Sequence, residues 1–361
     1  MRAFGIWSQF RFGAPAWSAA LLVGWCNDEP KVVEPTELAQ GQGIAGLAVD
    51  ASDVYWTDFP AGMMSKVPKG GGTATTLVSG PASDPLDIVV RDAHVYWLGA
   101  NTATLMKVPT GGGTPVTLAS GSVIPWGGLA LDDTHVYWMA SNEGGVGIAS
   151  VMRVVKAGGS SQTLHTESCY PREIAVDESS VYFTVVDDPV TKRGRVMTVP
   201  KGGGTAVTLA SAQTCPSGIA VDGADVYWTN TGALCGMAPP GSDGAVMKVG
   251  KGGGAPIVLA SGQQGPTGLA VDDAFVYWAN AGSTERTGTV IKASKNGGST
   301  TVLASGQRYP TEVAVDESNA FWVASGRILT ISLTDRRRMT ALRHRHAPIA
   351  RQMPSEGRRG R

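Results

Sequence analysis

Along most of the chain, apolar and polar positions alternate in short runs rich in Val, Tyr, Trp and Thr, each closed by Gly, Pro, Asp or Ser. That pattern predicts β-strands punctuated by turns, and no stretch holds the helical period. The runs come in sets of four. In the first set, Gly46-Leu47-Ala48-Val49 is followed by Val54-Tyr55-Trp56-Thr57-Asp58, then Ser65-Lys66-Val67-Pro68, then Thr75-Thr76-Leu77-Val78-Ser79. The second run starts at Val54, Val95, Val136, Val181, Val226 and Val276, and a degenerate Ala320-Phe321-Trp322 ends the series. Successive starts lie 41, 41, 45, 45, 50 and 44 residues apart. This is the span of one four-stranded propeller blade.

The expected fold is therefore all-β, a seven-bladed β-propeller of four-stranded antiparallel blades over residues 36–335. The first run of each set belongs innermost, where blades converge and small residues such as Ala48, Ala130, Ala175, Ala220, Ala270 and Ala314 fit. The aromatics of the second run should pack between neighbouring sheets. The last set lacks a fourth run, but Pro35 to Gln42 resembles the LASGQ text of Leu259 to Gln263. The N-terminal segment should then supply the missing outer strand and close the ring without an open edge.

The strings VPKGGGT at Val67 to Thr73 and Val199 to Thr205, and VPTGGGT at Val108 to Thr114, invite comparison with a phosphate-binding loop. Such a loop needs glycines before the lysine, a Ser or Thr directly after it, and a helix to follow. Here Lys69 precedes the glycines and a β-rich run follows, so the glycines are read as a tight hairpin between third and fourth strands. The recurring Asp50, Asp132, Asp177, Asp222, Asp272 and Asp316 are read likewise as turn formers.

Tyr55-Trp56-Thr57-Asp58 and its near copy Tyr227-Trp228-Thr229-Asn230 resemble the YWTD repeat of low-density-lipoprotein-receptor-type propellers. The whole unit also resembles a repeat family of secreted or envelope proteins in myxobacteria. The resemblance implies the propeller fold over about Thr36 to Asp335. A six-bladed ring, as in the receptors, is the alternative count. The fourth motif position departs from Asp at Gly99, Ala140, Val185, Asn230, Asn280 and Ala324, and no cysteine-dense modules flank the repeats, so the receptor role does not transfer.

Of the 361 residues, 48 are glycine, which regular turns explain, and the formal charge is zero. The nine arginines after Asp335, set against Glu356, give that end +8, so the rest carries −8. A mildly acidic body argues against a nucleic-acid groove on the ring. Residues 336–361 are expected to be a disordered, solvated tail. At the other end, two arginines precede an apolar run from Ala14 to Trp25, which suits a secretory signal over 1–26. Cys26 resembles a lipidated cysteine, although Trp25 is bulkier than the residue expected before it. A short linker over 27–35 follows. These features predict a secreted, periplasmic or outer-envelope monomer whose membrane contact is limited to lipidation at Cys26.

Strand direction alternates, so loops before first strands share a face with loops joining second to third strands. Cys169 and Cys215 precede first strands, and Cys235 follows Trp228. In an oxidising compartment Cys215 is expected to pair with Cys235, with Cys169 as the competing partner. The same face carries loops of unequal length over blades three to six, and such loops on a rigid scaffold carry function. Asp187, Asp188, Arg193, Asn230 and Arg286 are candidate contacts there, joined at the channel mouth by Trp126, Tyr170, Arg172, Arg308 and Tyr309. Asp87, Glu173 and Glu312 recur just before first strands, where they would converge on the axis and could hold calcium or another divalent cation. The expected function is a non-enzymatic binding scaffold for a protein or glycan, without a cofactor. The alternative is a propeller-type lyase or hydrolase with a cation at the channel mouth.

Overall fold

The computed structural model describes residues 34–334 except 81–84, 122–123, 142–146, 189, 233–234 and 236–241, and the backbone alone of 124–127. The signal segment, Cys26, most of the linker and the Arg-rich tail lie outside the described residues. Twenty-eight strands form seven four-stranded antiparallel sheets. Blade 1 runs from Ile44 to Ser79, blade 2 from Pro85 to Ser120, blade 3 from Ile124 to Glu167 and blade 4 from Tyr170 to Thr214. Blade 5 spans Pro216 to Gln263, blade 6 Pro266 to Gln307, and blade 7 Pro310 to Ser332. Strand β1, Thr36–Gln40, is the outer strand of blade 7, paired with β28, Arg327–Ser332. The seven-blade count and the N-terminal closure both stand.

Each letter of the YWTD motif has a separate job between blades or within one. The Tyr55 hydroxyl donates to Asp50 Oδ2 at 2.7 Å, while Asp50 Oδ1 accepts the N–H groups of Ser52 and Asp53. The repeated Asp is thus a turn former, and the same bonds recur at Asp132, Asp177, Asp222 and Asp272. The Trp indole reaches the preceding blade: Trp228, Trp278 and Trp322 donate to Gln213, Gln263 and Gln307. In blade 2 the corresponding glutamine is replaced by Pro81, and the buried Trp97 Nε1 has no hydrogen-bond partner. Blade 4 has Phe183, which needs none.

The Thr reaches the following blade. Thr57, Thr184 and Thr229 donate to the carbonyls of Leu86, Ser217 and Thr267. Asp58, in the last motif position, accepts from Gln42 N and Gly43 N and so fixes the chain leaving the closing strand. Tyr thus bonds within its blade while Trp and Thr bond across a seam, so most of the motif's buried polar atoms are hydrogen-bonded, with Trp97 Nε1, Asn230 Oδ1 and Asn280 Oδ1 as exceptions.

The VPKGGG hairpin adds a clasp. Lys201, Lys251 and Lys295 pair with Asp132, Asp177 and Asp222 of the preceding blade, and each ammonium also lies over that blade's motif tyrosine. The glycines answer to conformation, because Gly71 and Gly72 have φ of +84° and +133°. A Cβ on Gly71 would meet nothing within 4 Å, so space is not the constraint.

Candidate functional site

First strands run from one face, here the upper, to the other, and second strands return. Near its start each first strand carries a β-bulge: the register slips between Pro85 and Ile88, Pro171 and Ile174, Pro216 and Ile219, and Pro310 and Val313. Asp87, Glu173 and Glu312 sit inside these bulges. A bulge re-aims the side chain it carries. Blades 1, 3, 5 and 6 hold Gly46, Gly128, Gly218 and Gly268 at this position, and a Cβ on any of the four would run into the next blade.

The three carboxylates interact through the channel. Burial in its wall pushes Asp87 up to about 6, and burial with Asp87 nearby pushes Glu312 up to about 7. Glu173 is raised well above the ordinary range, first by burial and then by Asp87 and Glu312. Their oxygens are partly spent: Asp87 accepts from Ile88 N at 2.7 Å and Leu129 N at 2.6 Å, and Glu173 accepts from Ile174 N at 3.0 Å while lying over Gly128. Among the described residues no three His, Cys, Asp or Glu groups stand in an arrangement that could hold a metal ion. Asp87 is tied to blade 3 through Leu129 N, and Glu173 packs over Gly128 of the same blade.

Cys215 and Cys235 form a disulfide with a Cα separation of 5.4 Å. It ties the start of blade 5 to its own second-to-third-strand loop, and Thr231 adds two bonds to the Cys215 carbonyl. Cys169 does not compete. It is buried and free, its thiol pushed up to about 12 by burial and then by Glu167. Arg172 lies across this junction, with Nη2 3.8 Å from Cys215 Sγ, and burial lowers its pKa.

The backbone of the same face is strained. Lys192, Ala212, Cys215, Cys235, Tyr309 and Ser325 all have positive φ. Cys215 and Tyr309 directly precede the first proline of their blades, where blade 6 has Gly265 with φ +63°. Glycine accepts that conformation freely, whereas tyrosine does so at a cost of about 1–2 kcal/mol. Tyr309 holds φ +46° with 38% of its surface exposed. Its neighbour Arg308 pairs with Glu285 at 3.0 Å, and Ser325 donates to the Arg308 carbonyl.

The other expected contacts divide. Asp187 is committed to Arg195, which also pairs with Glu167. Asp188 caps a tight turn by accepting from Val190 N and Thr191 Oγ1. The longer spacing in blade 4 is therefore extended strand, Ser180–Asp188 and Arg193–Pro200, more than free loop. Asn230 is interior: its Nδ2 donates to Gln213, and its Oδ1 has no hydrogen-bond partner. Arg193 and Arg286 are exposed on the upper face, and Tyr170 begins the first strand of blade 4. The Trp126 side chain lies outside the described residues. Proline-preceding positions where Gly gives way to Cys or Tyr are a signal that the sequence held and that loop length obscured.

The lower face carries the turns between first and second strands and the hairpins between third and fourth. A cavity of about 980 Å³ opens there between the turns of blades 2 to 5, lined by Arg91, Asp132, Asp177, Lys201 and Lys251 among others.

No protein-family model matches the chain, and no curated protein does. Among solved structures it is similar to virginiamycin B lyase from Staphylococcus aureus, with TM-score 0.64 and 13% identity over 83% of this chain and 99% of that one. An oligogalacturonate lyase in complex with manganese gives 0.58 and 12%, over 83% and 90%. A nidogen–laminin complex gives 0.51 and 19%, over 67% and 89%. At these identities the likeness shows the fold alone.

Proposed function

We propose that the protein is an extracytoplasmic binding module, with its ligand seated on the upper face around the channel mouth. The observation that carries this reading is Tyr309: an exposed aromatic held in a strained conformation, beside Arg308, where the preceding blade has glycine. Strain kept at one place when a strain-free residue would serve is a pointer to use. The disulfide supports the reading twice, by bracing the neighbouring loop and by fitting an oxidising compartment such as the cell exterior or envelope. Exposed aromatics beside arginines suit stacking on sugar rings or on peptide side chains. The test uses Tyr309→Gly, which removes the ring and relieves the backbone. Purified chain is run on a glycan array and in pull-downs from envelope extract, with the variant alongside. Captured glycans or proteins should be lost from a variant that melts no lower than the parent. Capture unchanged by the substitution would refute the site.

A second reading, a propeller-type lyase or hydrolase, is favoured by the carboxylates raised toward neutrality on the axis. Glu312 could give or take a proton near pH 7. Lyase propellers exist among the structures similar to this one, which supports the reading at the level of fold only. Calorimetric titration with calcium probes the cation that this chemistry would employ. Absence of heat and of any shift in melting temperature would remove it.

A further inference from the structure

We propose that the seam between blades 1 and 2 is the joint at which the closed ring opens in the native state, parting the channel wall at its side. Two repeated kinds of tie join neighbouring blades, the Trp–Gln bond and the lysine clasp. Blade 3 keeps a lysine pair on blade 2, and blade 4 keeps one on blade 3. Blades 5 and 6 keep both kinds on the blade before, blade 7 keeps the bond from Trp322 to Gln307, and blade 1 is clasped to blade 7 by Lys69. Among the described residues blade 2 has neither on blade 1. Pro81 stands where the glutamine would be, which leaves the buried Trp97 Nε1 without a partner. Thr110 stands where the clasp lysine would be, so no ammonium reaches Asp50 among the described residues.

The two blades are fastened instead to their outer neighbours. Asp87 accepts from Leu129 N at 2.6 Å, Arg91 pairs with Asp133, and Lys107 Nζ donates to the Lys156 carbonyl at 2.7 Å, so blade 2 is held to blade 3. Asp58 accepts from Gln42 N and Gly43 N, and Lys69 lies 2.6 Å from Asp316, so blade 1 is held to blade 7. Stability in a repeat array is close to a sum of neighbour terms, and the opening that costs least occurs where those terms are smallest. The seam retains the bond from Thr57 Oγ1 to the Leu86 carbonyl, at 2.7 Å, and the packing of Tyr55 and Met64 against Ile88, Val95 and Trp97. Its inner strands, Ile44–Val49 and Pro85–Arg91, approach closely, since a Cβ on Gly46 would come within 2.9 Å of the Leu86 carbonyl oxygen. These strands are channel wall. Parting them slits the channel from the side while the seam between blades 7 and 1 stays shut.

Oxidation of methionines by hydrogen peroxide tests this on the unsubstituted chain. Met64 lies in the seam between blades 1 and 2, Met139 in the seam between blades 3 and 4, and both are shut from solvent, at 1% and 0% exposed. Oxidation is slow beside reclosing, so each rate follows the population of its own open seam. The orphaned indole N–H and the missing ion pair together favour opening by about tenfold. In the native protein Met64 should therefore form its sulfoxide about tenfold faster than Met139, read by mass spectrometry of the two peptides. Thr110→Lys, which offers Asp50 an ammonium, should slow Met64 several-fold and leave Met139 unchanged. If that variant folds poorly, the comparison within the unsubstituted chain decides alone. Equal rates at the two methionines, or a faster Met139, would overturn the proposal. So would a Thr110→Lys variant that slows both alike, since the opening would then be that of the whole ring.

Discussion

Lys69 Nζ lies 2.6 Å from Asp316 Oδ2, joining the first blade to the last across 247 positions of sequence. The pair is largely screened from solvent, with 15% and 23% of the two side chains exposed, and Lys69 also covers the Phe321 ring. Lys69→Met should cost about 1 kcal/mol and lower the melting temperature by about 2 °C. The converse is more telling. Blade 2 has Thr110 where the other hairpins have lysine, and Thr110 reaches Tyr55 in place of clasping Asp50. Thr110→Lys should raise the melting temperature by a similar amount, and a fall in thermal melts would show that the clasp is not transferable.

The disulfide closes a loop of sequence separation 20. Constraining the unfolded chain over that length stabilises by about 3 kcal/mol. Cys215→Ser should therefore melt several degrees lower and expose a reactive Cys235. Cys169 should resist iodoacetamide at pH 8 in the native protein and react fully once the chain is denatured, because its thiol is buried. Mass spectrometry of the labelled peptides reads both outcomes together.

The axial carboxylates set a pH dependence. In the unfolded chain they ionise near pH ~4, whereas in the ring Asp87 and Glu312 hold their protons to about 6 and about 7. The folded state binds more protons through that window, so stability is greatest below it and falls as pH rises from about 4 to about 7.5. Melting at pH 5 should exceed melting at pH 8. Glu312→Gln or Glu173→Gln should shrink the difference and stabilise the ring at pH 8. Lysine-clasped carboxylates such as Asp132 and Asp177 are held well below the usual range against the opposing effect of burial, so their loss belongs to pH below ~4. A flat profile between pH 5 and 8 would contradict the convergence of the three groups.

Tyr309 and Gly265 stand at equivalent positions with the same sign of φ, +46° and +63°. Tyr309→Gly should raise stability by up to about 1 kcal/mol, while Gly265→Ala should lower it by a similar amount. Opposite signs at matched sites would separate backbone strain from side-chain packing. If both changes destabilise, the tyrosine ring is a packing group.

The blade count was legible because Val-Tyr-Trp returns at near-constant spacing, and the closing strand because Pro35 to Gln42 resembles the outer-strand text of Leu259 to Gln263. Strand direction placed Cys169, Cys215 and Cys235 on one face, and the structure decides for Cys215–Cys235 with Cys169 free. The Lys69–Asp316 clasp was not legible, since its partners come from opposite ends of the ring. The intramolecular partners of Asp187 and Asp188 were not legible for a different reason. A wider spacing in sequence reports extra residues but not whether they extend strands or form a loop, and in blade 4 they extend the strands. The bulges were not legible either, and with them the bonds that Asp87 accepts from Ile88 N and Leu129 N.

Thr36–Gln40 completes the sheet of Arg327–Ser332 about 290 residues later. The earliest-made part of the ring must therefore wait, unpaired, until the final blade has been synthesised. While the chain is being made, that waiting strand and the emerging Arg327 edge are the two surfaces most open to a wrong partner. Closure is consequently the last long-range step in folding, and its speed is governed by how soon the two termini of the ring meet.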